Sequence, residues 1–168
     1  MKQVLTTARL ALREMTLGDL DFVAEMLAHP EVMRYYPKCY SRAEAEGWVR
    51  RQMSRYESHG YGLWLVSDKV RGEPVGQVGL TPQVVDGLEE AEIGYLIHNR
   101  FWRRGLASEA AEGVRDHAFA VFGKSRVISL IRPENIPSQG VARKIGMQPE
   151  KLTVYAGFRH LVFALEAP

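Results

Sequence analysis

The feature that most constrains the fold is the order of strands and helices after residue 61. Three segments with the alternation of strands follow one another, separated only by short turn-rich stretches: residues 61–67, 74–85 and 90–98. A long helical stripe then ends at Gly123, and a short strand follows at residues 126–131. Short turns join antiparallel strands, whereas a strand–helix–strand crossover joins parallel ones. The sequence therefore predicts a mixed sheet, antiparallel at first, with a parallel pair in its middle.

The remaining segments place one strand and two helices before this unit, and a helix and a hairpin after it. Residues 9–15 alternate as a strand, and Thr16 and Ser41 then stand where helix N-caps are expected, each three residues ahead of an acidic residue. Residues 136–145 have the pattern of a short helix, and two further strands follow it. We expect one α+β domain over residues 1–168, with six to seven strands and about four helices.

Composition argues against several classes of function. Hydrophobic residues make up 46% and charged residues 25% of the chain, which is typical of a globular protein. The net charge is only +2 and the basic residues are scattered, which argues against a nucleic-acid binder. The apolar runs are too short for a membrane span, and the histidines lack metal-ligand spacing, so neither a membrane nor a metal is expected. A single cysteine, Cys39, and the lack of a secretory leader are typical of the cytoplasm.

The most informative segment joins the third of these strands to the long helix. The strand ends in Tyr95-Leu96-Ile97, and the helix begins within Arg103-Arg104-Gly105-Leu106-Ala107-Ser108. Backbone N–H groups at the start of a helix have no intrahelical acceptor and lie at the positive end of its dipole, where phosphate oxygens bind well. Gly105 and Ala107 leave room for a ligand to approach the backbone, and the two arginines add positive charge. We therefore expect residues 103–108, called the cradle below, to bind a diphosphate.

This segment resembles the acyl-CoA-binding motif of the GNAT superfamily of N-acetyltransferases, Gln/Arg-x-x-Gly-x-Gly/Ala. Gly105 and Ala107 occupy its last two fixed places, whereas Trp102 stands where the family has Gln or Arg. The variant with Trp is similar to the RimJ/RimL-like subgroup, which acetylates ribosomal proteins. A later family motif, Asn-x-x-Ser/Ala ending in Gly-Phe, is matched by Asn135 and Ser138 followed by Gly146-Met147. P-loop and dinucleotide-binding patterns are absent from the sequence.

The resemblance implies a GNAT-like fold, in which the central parallel strands are splayed apart, and acetyl-CoA as the cosubstrate. The pantetheine arm would pair with the backbone of Tyr95, Leu96 and Ile97, while the diphosphate would lie in the cradle. Asn135 would contact the CoA arm. Asn is also a favoured helix N-cap, and the two roles can coexist.

Acetyl transfer to an amine needs a neutral amine, a polarised thioester carbonyl and a proton for the departing thiolate. Many relatives supply that proton from a tyrosine seven places after the motif Asn, but Ala142 occupies this place. By resemblance to the Rim-type enzymes Ser138 takes the role, unless it only bonds the backbone of its own helical turn. For the base, Glu92 and His160 are both candidates, and Glu92 could instead pair with an arginine.

The acceptor implied by the resemblance is a primary amine, either a protein N-terminus or a small molecule. It would enter at the opposite mouth of the splayed strands, beside the first two helices and the loop around Tyr35, Tyr36 and Tyr40. The alternative is a non-catalytic acyl-CoA-binding regulatory domain of the same fold. A third hypothesis is a phosphate-binding fold unrelated to CoA. We expect a monomer or a homodimer.

Overall fold

The computed structural model describes residues 2–168, which form eight strands and four helices around one mixed sheet. The strands are β1 (Gln3–Thr6), β2 (Leu10–Arg13), β3 (Leu63–Asp68), β4 (Pro74–Val85), β5 (Leu88–Ile97), β6 (Arg126–Ile131), β7 (Gln148–Tyr155) and β8 (Phe158–Glu166). The helices are α1 (Leu20–Ala28), α2 (Arg42–His59), α3 (Leu106–Ala120) and α4 (Ile136–Lys144). Across the sheet the order is β1-β2-β3-β4-β5-β6-β8-β7, and every neighbouring pair is antiparallel except β5 with β6.

The predicted α+β fold with a central parallel pair is confirmed, and the sheet has one strand more than predicted. The additional strand, β1, lies at the sheet edge and pairs only with β2. Its apolar residues Val4 and Leu5 are adjacent instead of alternating, so no strand pattern indicates it. Leu5 packs against Gly113 of α3, where an added Cβ would lie 3.1 Å from the leucine. Tertiary packing therefore selects this strand.

Both predicted N-caps form. The Ser41 side chain accepts a hydrogen bond from the N–H of Glu44 at 3.2 Å, and the Glu44 carboxylate accepts one from the N–H of Ser41 at 3.1 Å. At Thr16, the hydroxyl accepts from the N–H of Gly18 at 3.2 Å, and the Asp19 carboxylate accepts from the N–H of Thr16 at 2.8 Å. Behind Thr16 the chain makes a short 3-10 turn before α1 begins at Leu20, so this helix starts later than its cap alone indicates.

The helices cover the two faces of the sheet. On one face, α3 and α4 pack on Val78, Leu80 and Ile93, all nearly fully buried. On the other face, α1 and α2 pack on Leu63 and Leu65. Within residues 2–168, no helix combines the length and the apolar character needed to cross a bilayer.

The parallel strands β5 and β6 are joined at one register pair, Glu92 with Ile128. Beyond this pair no register partner joins residues 93–97 of β5 to residues 129–131 of β6, which fits the splay that the resemblance implies. Near the point of divergence, the hydroxyl of Ser129 donates to the carbonyl oxygen of Ile93 at 2.7 Å. We call the space between residues 93–97 and residues 129–131 the gap.

Candidate active site

The cradle comprises the tight loop before α3 and the first three residues of that helix, and two of its residues have left-handed backbone. Arg103 has φ 62°, and Gly105, the N-cap of α3, has φ 74°. No side chain caps this end of the helix. The first helical hydrogen bond runs from the N–H of Glu109 to the carbonyl of Gly105 at 3.1 Å, and the six amides of residues 103–108 donate to no acceptor within residues 2–168. The cradle therefore presents a row of free donors at the positive end of a long helix.

A clamp from the turn between β1 and β2 holds the cradle in place. The Glu109 carboxylate accepts hydrogen bonds from the Thr7 hydroxyl at 2.6 Å, from the Arg9 N–H at 2.7 Å and from Arg9 Nε at 2.6 Å. Arg9 Nη1 also donates to the carbonyl of Arg104 at 2.9 Å. Partial burial acts to raise the pKa of Glu109, but the bonds from Thr7 and Arg9 outweigh it and lower the pKa. No local sequence pattern indicates this clamp, because its partners lie about a hundred residues apart.

Trp102, which stands where the family motif has Gln or Arg, contacts the carboxyl end of β5. Its indole Nε1 donates to the carbonyl oxygen of Ile97 at 2.7 Å, while the ring stays 44% exposed. That carbonyl is the last one of the strand, and it faces the gap. Trp102 therefore satisfies a main-chain acceptor at the rim of the site without occupying any amide of the cradle.

Along β5, the main-chain groups of successive residues point alternately toward β4 and toward the gap. His98 donates its N–H to the carbonyl of Val75, and the antiparallel register then directs the main chain of Leu96 toward β4 as well. The main-chain groups of Tyr95 and Ile97 point the other way, into the gap. Of the three residues predicted to pair with a pantetheine arm, Tyr95 and Ile97 present main-chain groups there. Leu96 is bonded within the sheet, and its side chain packs beneath α1 and α2.

Ser138 and Asn135 lie at the first turn of α4, across the gap from β5. The side-chain oxygen of Asn135 accepts from the N–H of Ser138 at 3.2 Å, so the N-cap role of Asn135 is confirmed. The hydroxyl of Tyr95 spans the gap to this turn, donating to the carbonyl of Ser138 and accepting from its Oγ. Burial raises the pKa of Tyr95, which keeps it a neutral donor. Ala142, where many relatives have a tyrosine, is fully buried in the core.

Glu92 borders the gap from the opposite face of the sheet. One carboxylate oxygen accepts from the N–H of Leu130 at 3.2 Å, and the other accepts from Gln83 Nε2 at 3.0 Å and from the Thr81 hydroxyl at 3.4 Å. Within residues 2–168 it forms no ion pair with an arginine, so the alternative of an arginine partner does not hold. Burial raises the pKa of Glu92, although these three donors act the other way.

His160, the other predicted base, packs against the ring of Tyr155. The Tyr155 hydroxyl donates to Gln83 Oε1 at 2.8 Å, and its ring meets the His160 ring edge-on, with 5.5 Å between centroids. His160 Nδ1 is 3.0 Å from the carbonyl oxygen of Phe158, and no hydrogen bond joins this histidine to Glu92. Of the two predicted bases, the structure brings only Glu92 to the gap.

Known proteins are similar to this chain in sequence. Residues 9–148 match the family model described as an acetyltransferase (GNAT) domain. The chain is 35% identical to the uncharacterized protein YkkB of Bacillus subtilis (strain 168), over 89% of this chain and 88% of YkkB. It is 29% identical to YnaD of the same organism, an uncharacterized N-acetyltransferase, over 87% of this chain and 83% of YnaD.

Solved structures share the fold. An acetyltransferase from Agrobacterium tumefaciens str. C58 superposes with a TM-score of 0.86 at 25% identity, covering 99% of this chain and 95% of that one. RimL, a ribosomal L7/L12 alpha-N-protein acetyltransferase in complex with coenzyme A, gives 0.79 at 17% identity over 98% of both chains. Mycobacterium smegmatis RimJ in complex with CoA-disulfide gives 0.74 at 20% identity, over 94% of this chain and 82% of RimJ. These neighbours share the fold, and since the family model spans most of the sequence, the chain belongs to the GNAT family of acetyltransferases.

Proposed function

We propose that this acetyltransferase moves the acetyl group of acetyl-CoA to a primary amine by direct attack, with both substrates bound together. The observation that carries the proposal is the row of six unpaired amides in the cradle, beside a gap whose walls Tyr95 and Ser138 join. Free donors at a helix start bind phosphate oxygens. RimL and RimJ, which share the fold, were solved as complexes with forms of coenzyme A.

The residues present fit such a molecule. A Cβ added at Gly105 would meet only Arg9 Nη2, 3.6 Å away, so the cradle is open to a ligand. We assign the diphosphate to the amides of residues 103–108, with the exposed Arg103 and Arg104 adding charge at the rim. The pantetheine arm is assigned to the main chain of Tyr95 and Ile97. An N–H group there polarises the thioester carbonyl.

Asn135 and Ser138 form the far wall for this arm. Asn135 keeps its capping bond to Ser138 and borders the arm from the start of α4. Leu96 contributes indirectly, because its bonds to β4 fix the direction in which its neighbours Tyr95 and Ile97 present their amides.

We assign the proton transfers to Glu92 and Ser138. An acceptor ammonium gives one proton to Glu92, whose raised pKa suits a base. The neutral nitrogen then attacks the carbonyl carbon, the carbon–sulfur bond breaks, and Ser138 Oγ donates its proton to the departing sulfur. The second proton of the nitrogen restores the Ser138 hydroxyl, and Glu92 releases its proton to solvent. His160 is the second candidate for the base, and within residues 2–168 its ring packs on Tyr155 without a hydrogen bond toward Glu92.

The acceptor enters from the face of α1 and α2. Tyr36 and Tyr155 lie on this side, and at Tyr155 burial, followed by the negative charge of Glu92, raises the pKa of the hydroxyl. Under this proposal residues 1–168 form one catalytic domain, a monomer or a homodimer, that acts in the cytoplasm. There the exposed thiol of Cys39 stays reduced.

Release of free thiol from acetyl-CoA, measured with a panel of small amines and N-terminal peptides, tests the proposal. We expect turnover with at least one acceptor and loss of turnover in Ser138→Ala. Binding of CoA without turnover across the panel would favour a regulatory domain instead. Saturation at about 100 times the dissociation constant raises the free energy of unfolding by about 2.7 kcal/mol. A protein whose melting temperature does not respond to CoA would contradict both readings.

A further inference from the structure

Arg55 of α2 is a half-buried arginine that lacks a carboxylate partner. The other half-buried arginines of residues 2–168 each form an ion pair: Arg13, Arg115, Arg126 and Arg132. The Arg55 guanidinium instead lies 3.4 Å from the side-chain oxygen of Gln52. Burial lowers the pKa of Arg55, and the nearby charge of Arg51 lowers it further. The fold therefore keeps a positive charge where its surroundings disfavour one.

The direction of α2 over the sheet places Arg55 near the active site. Trp48 Nε1 donates to the side-chain oxygen of Gln77 on β4 at 3.0 Å. About one turn later, Gln52 Oε1 accepts from the N–H of Leu63 at 3.0 Å, and Leu63 is the register partner of Gly79. Since Gly79 follows Gln77 along β4, the helix and this strand advance in the same direction.

Arg55 continues this path toward Glu92. It lies about 10 Å beyond Trp48 along the helix, at 1.5 Å per residue. Thr81 lies about 13 Å beyond Gln77 along β4, at about 3.3 Å per residue, and Thr81 pairs with Glu92 on β5. The helix thus brings the guanidinium to the level of the proposed base, on the acceptor face of the sheet.

Glu92 and Arg55, which carry opposite charges, therefore lie on the same face of the sheet without forming an ion pair. Glu92 and Arg55 are close enough to influence each other and the hydroxyl of Tyr155, yet they form no ion pair. Arg51, whose guanidinium lies 5.8 Å from the ring centroid of Trp48, is exposed and forms no ion pair within residues 2–168 either.

A second polar group beside Arg55 also lacks a partner. The amide nitrogen of Gln52, whose oxygen the guanidinium contacts, is fully buried and donates to nothing within residues 2–168. Buried donors are normally satisfied. Arg55 is therefore held on the acceptor side by a buried glutamine and not by a carboxylate.

We propose that the acceptor carries an anionic group, a carboxylate or a phosphate, in addition to its reactive amine, and that Arg55 with Arg51 binds this group while Glu92 receives the amine. The inference rests on the proposed function and specifies its acceptor class. An acceptor that carries an ammonium and an anionic group pairs with Glu92 through the first and with Arg55 through the second. A simple alkylamine leaves Arg55 without an ion-pair partner. Carboxylates and phosphates each present two oxygens that a planar guanidinium can bind through two parallel N–H donors.

Matched acceptor pairs test the proposal. Each pair differs only in the anionic group: γ-aminobutyrate with n-butylamine, phosphoethanolamine with ethanolamine, and the peptide amides Ser-Asp-Ala with Ser-Asn-Ala. Binding to the complex of the protein with CoA is measured by calorimetry, and turnover by thiol release. We expect the anionic member of at least one pair to bind about tenfold more tightly or better, as for one charge-assisted hydrogen bond. The pair that responds identifies a small carboxylate, a phosphate or an acidic peptide as the source of the anion.

Three variants separate the subsite from general effects of charge. Arg55→Gln should abolish the preference within the responding pair and leave the binding of the uncharged member within about twofold of wild type. Arg55→Lys should keep part of the preference, and Arg50→Gln, on the same helix but paired with Glu46, should keep all of it. Equal binding within all three pairs, or a preference that persists in Arg55→Gln, would overturn the proposal. Anion preference in binding without thiol release from any acceptor would contradict the proposed function and leave the subsite in place.

Discussion

The hydroxyl of Tyr95 lies 2.6 Å from the carbonyl oxygen of Ser138 and 3.1 Å from its Oγ. Tyr95 belongs to β5, whereas Ser138 belongs to α4, which follows β6. One hydroxyl group thus joins the two walls of the gap. Since it donates to the main chain and accepts from the side chain of the same residue, it fixes both the position of the helical turn and the orientation of the serine.

Tyr95→Phe tests this relationship. We expect kcat to fall by about tenfold or more, but by no more than the roughly 10²–10⁴ that general acid catalysis contributes, with little change in KM for acetyl-CoA. Adding Ser138→Ala to it should lower kcat no further than Ser138→Ala alone, and additive losses would contradict a shared role. Ser129→Ala is the control. It removes a hydroxyl that bonds Ile93 in the same gap, so it should lower stability and keep kcat.

Gly105→Glu should abolish CoA binding, because a side chain and a negative charge would meet the diphosphate. The substitution also places an L-residue at φ 74°, which costs roughly 1–2 kcal/mol of stability. Gly72→Glu is the matched control, since Gly72 has φ 69° and open space around it in the turn between β3 and β4. Titration calorimetry with CoA should show binding lost in the first variant alone. Equal affinity in the two variants would remove the cradle from the binding site.

Glu109→Gln should weaken CoA binding although Glu109 bonds to protein groups and not to the ligand. It breaks the ion pair with Arg9 and loosens the cradle from the edge of the sheet, at a cost of about 1–3 kcal/mol of stability. Lys2→Gln removes a more exposed pair with Glu14 from the same edge and should change stability by less than about 1 kcal/mol. Chemical denaturation and CoA titration measure both effects. Unchanged CoA affinity in Glu109→Gln would show that the clamp does not support the cradle.

The rate should depend on pH through Glu92. A base acts when deprotonated, and burial raises the pKa of this carboxyl, so kcat/KM should fall with decreasing pH already above the range of an ordinary carboxylate. Glu92→Gln should lower kcat on the order of 10²–10⁴ and remove this acidic limb. Glu90→Gln, on the same strand and paired with Arg126, should retain the limb. An acidic limb that persists in Glu92→Gln and disappears in His160→Gln would assign the base to the histidine.

Acid stability should depend on Asp19. Burial acts to raise the pKa of Asp19, but hydrogen bonds from Arg13 and from the N–H of Thr16 outweigh it and lower the pKa. A lowered pKa stabilises the fold above the unfolded-state pKa, and the contribution disappears as the pH falls through the folded-state value. Asp19→Asn should therefore cost about 1–3 kcal/mol at pH 7 and much less near pH 2. Asp21→Asn, which breaks an exposed pair with Arg42, should cost little at either pH, as urea denaturation would reveal.

Local patterns predicted the elements other than β1, and the free amides of the cradle, because their causes are local. The caps at Thr16 and Ser41 depend on residues three places away, and the free amides of residues 103–108 follow from the start of a helix. The splay of β5 and β6 came from family resemblance, since no pattern of residues along a single strand indicates where two strands part.

The supporting contacts are absent from any local pattern. The bond between Arg9 and Glu109 spans 100 residues, and that between Tyr95 and Ser138 spans 43, so each depends on register and packing. That Arg55 lacks an ion-pair partner can be recognised only when the positions of all its neighbours are known. The tryptophan at position 102 departs from the family motif, and its role at the end of β5 likewise needed the position of the Ile97 carbonyl.

The parallel ladder between β5 and β6 consists of the one pair Glu92 and Ile128, so the continuous sheet is in effect two half-sheets. A pantetheine arm bonded along Tyr95 and Ile97 would serve as a surrogate strand at that seam. On the proposed function, CoA binding would add main-chain hydrogen bonds at this seam, and release of CoA at the end of each catalytic cycle would remove them.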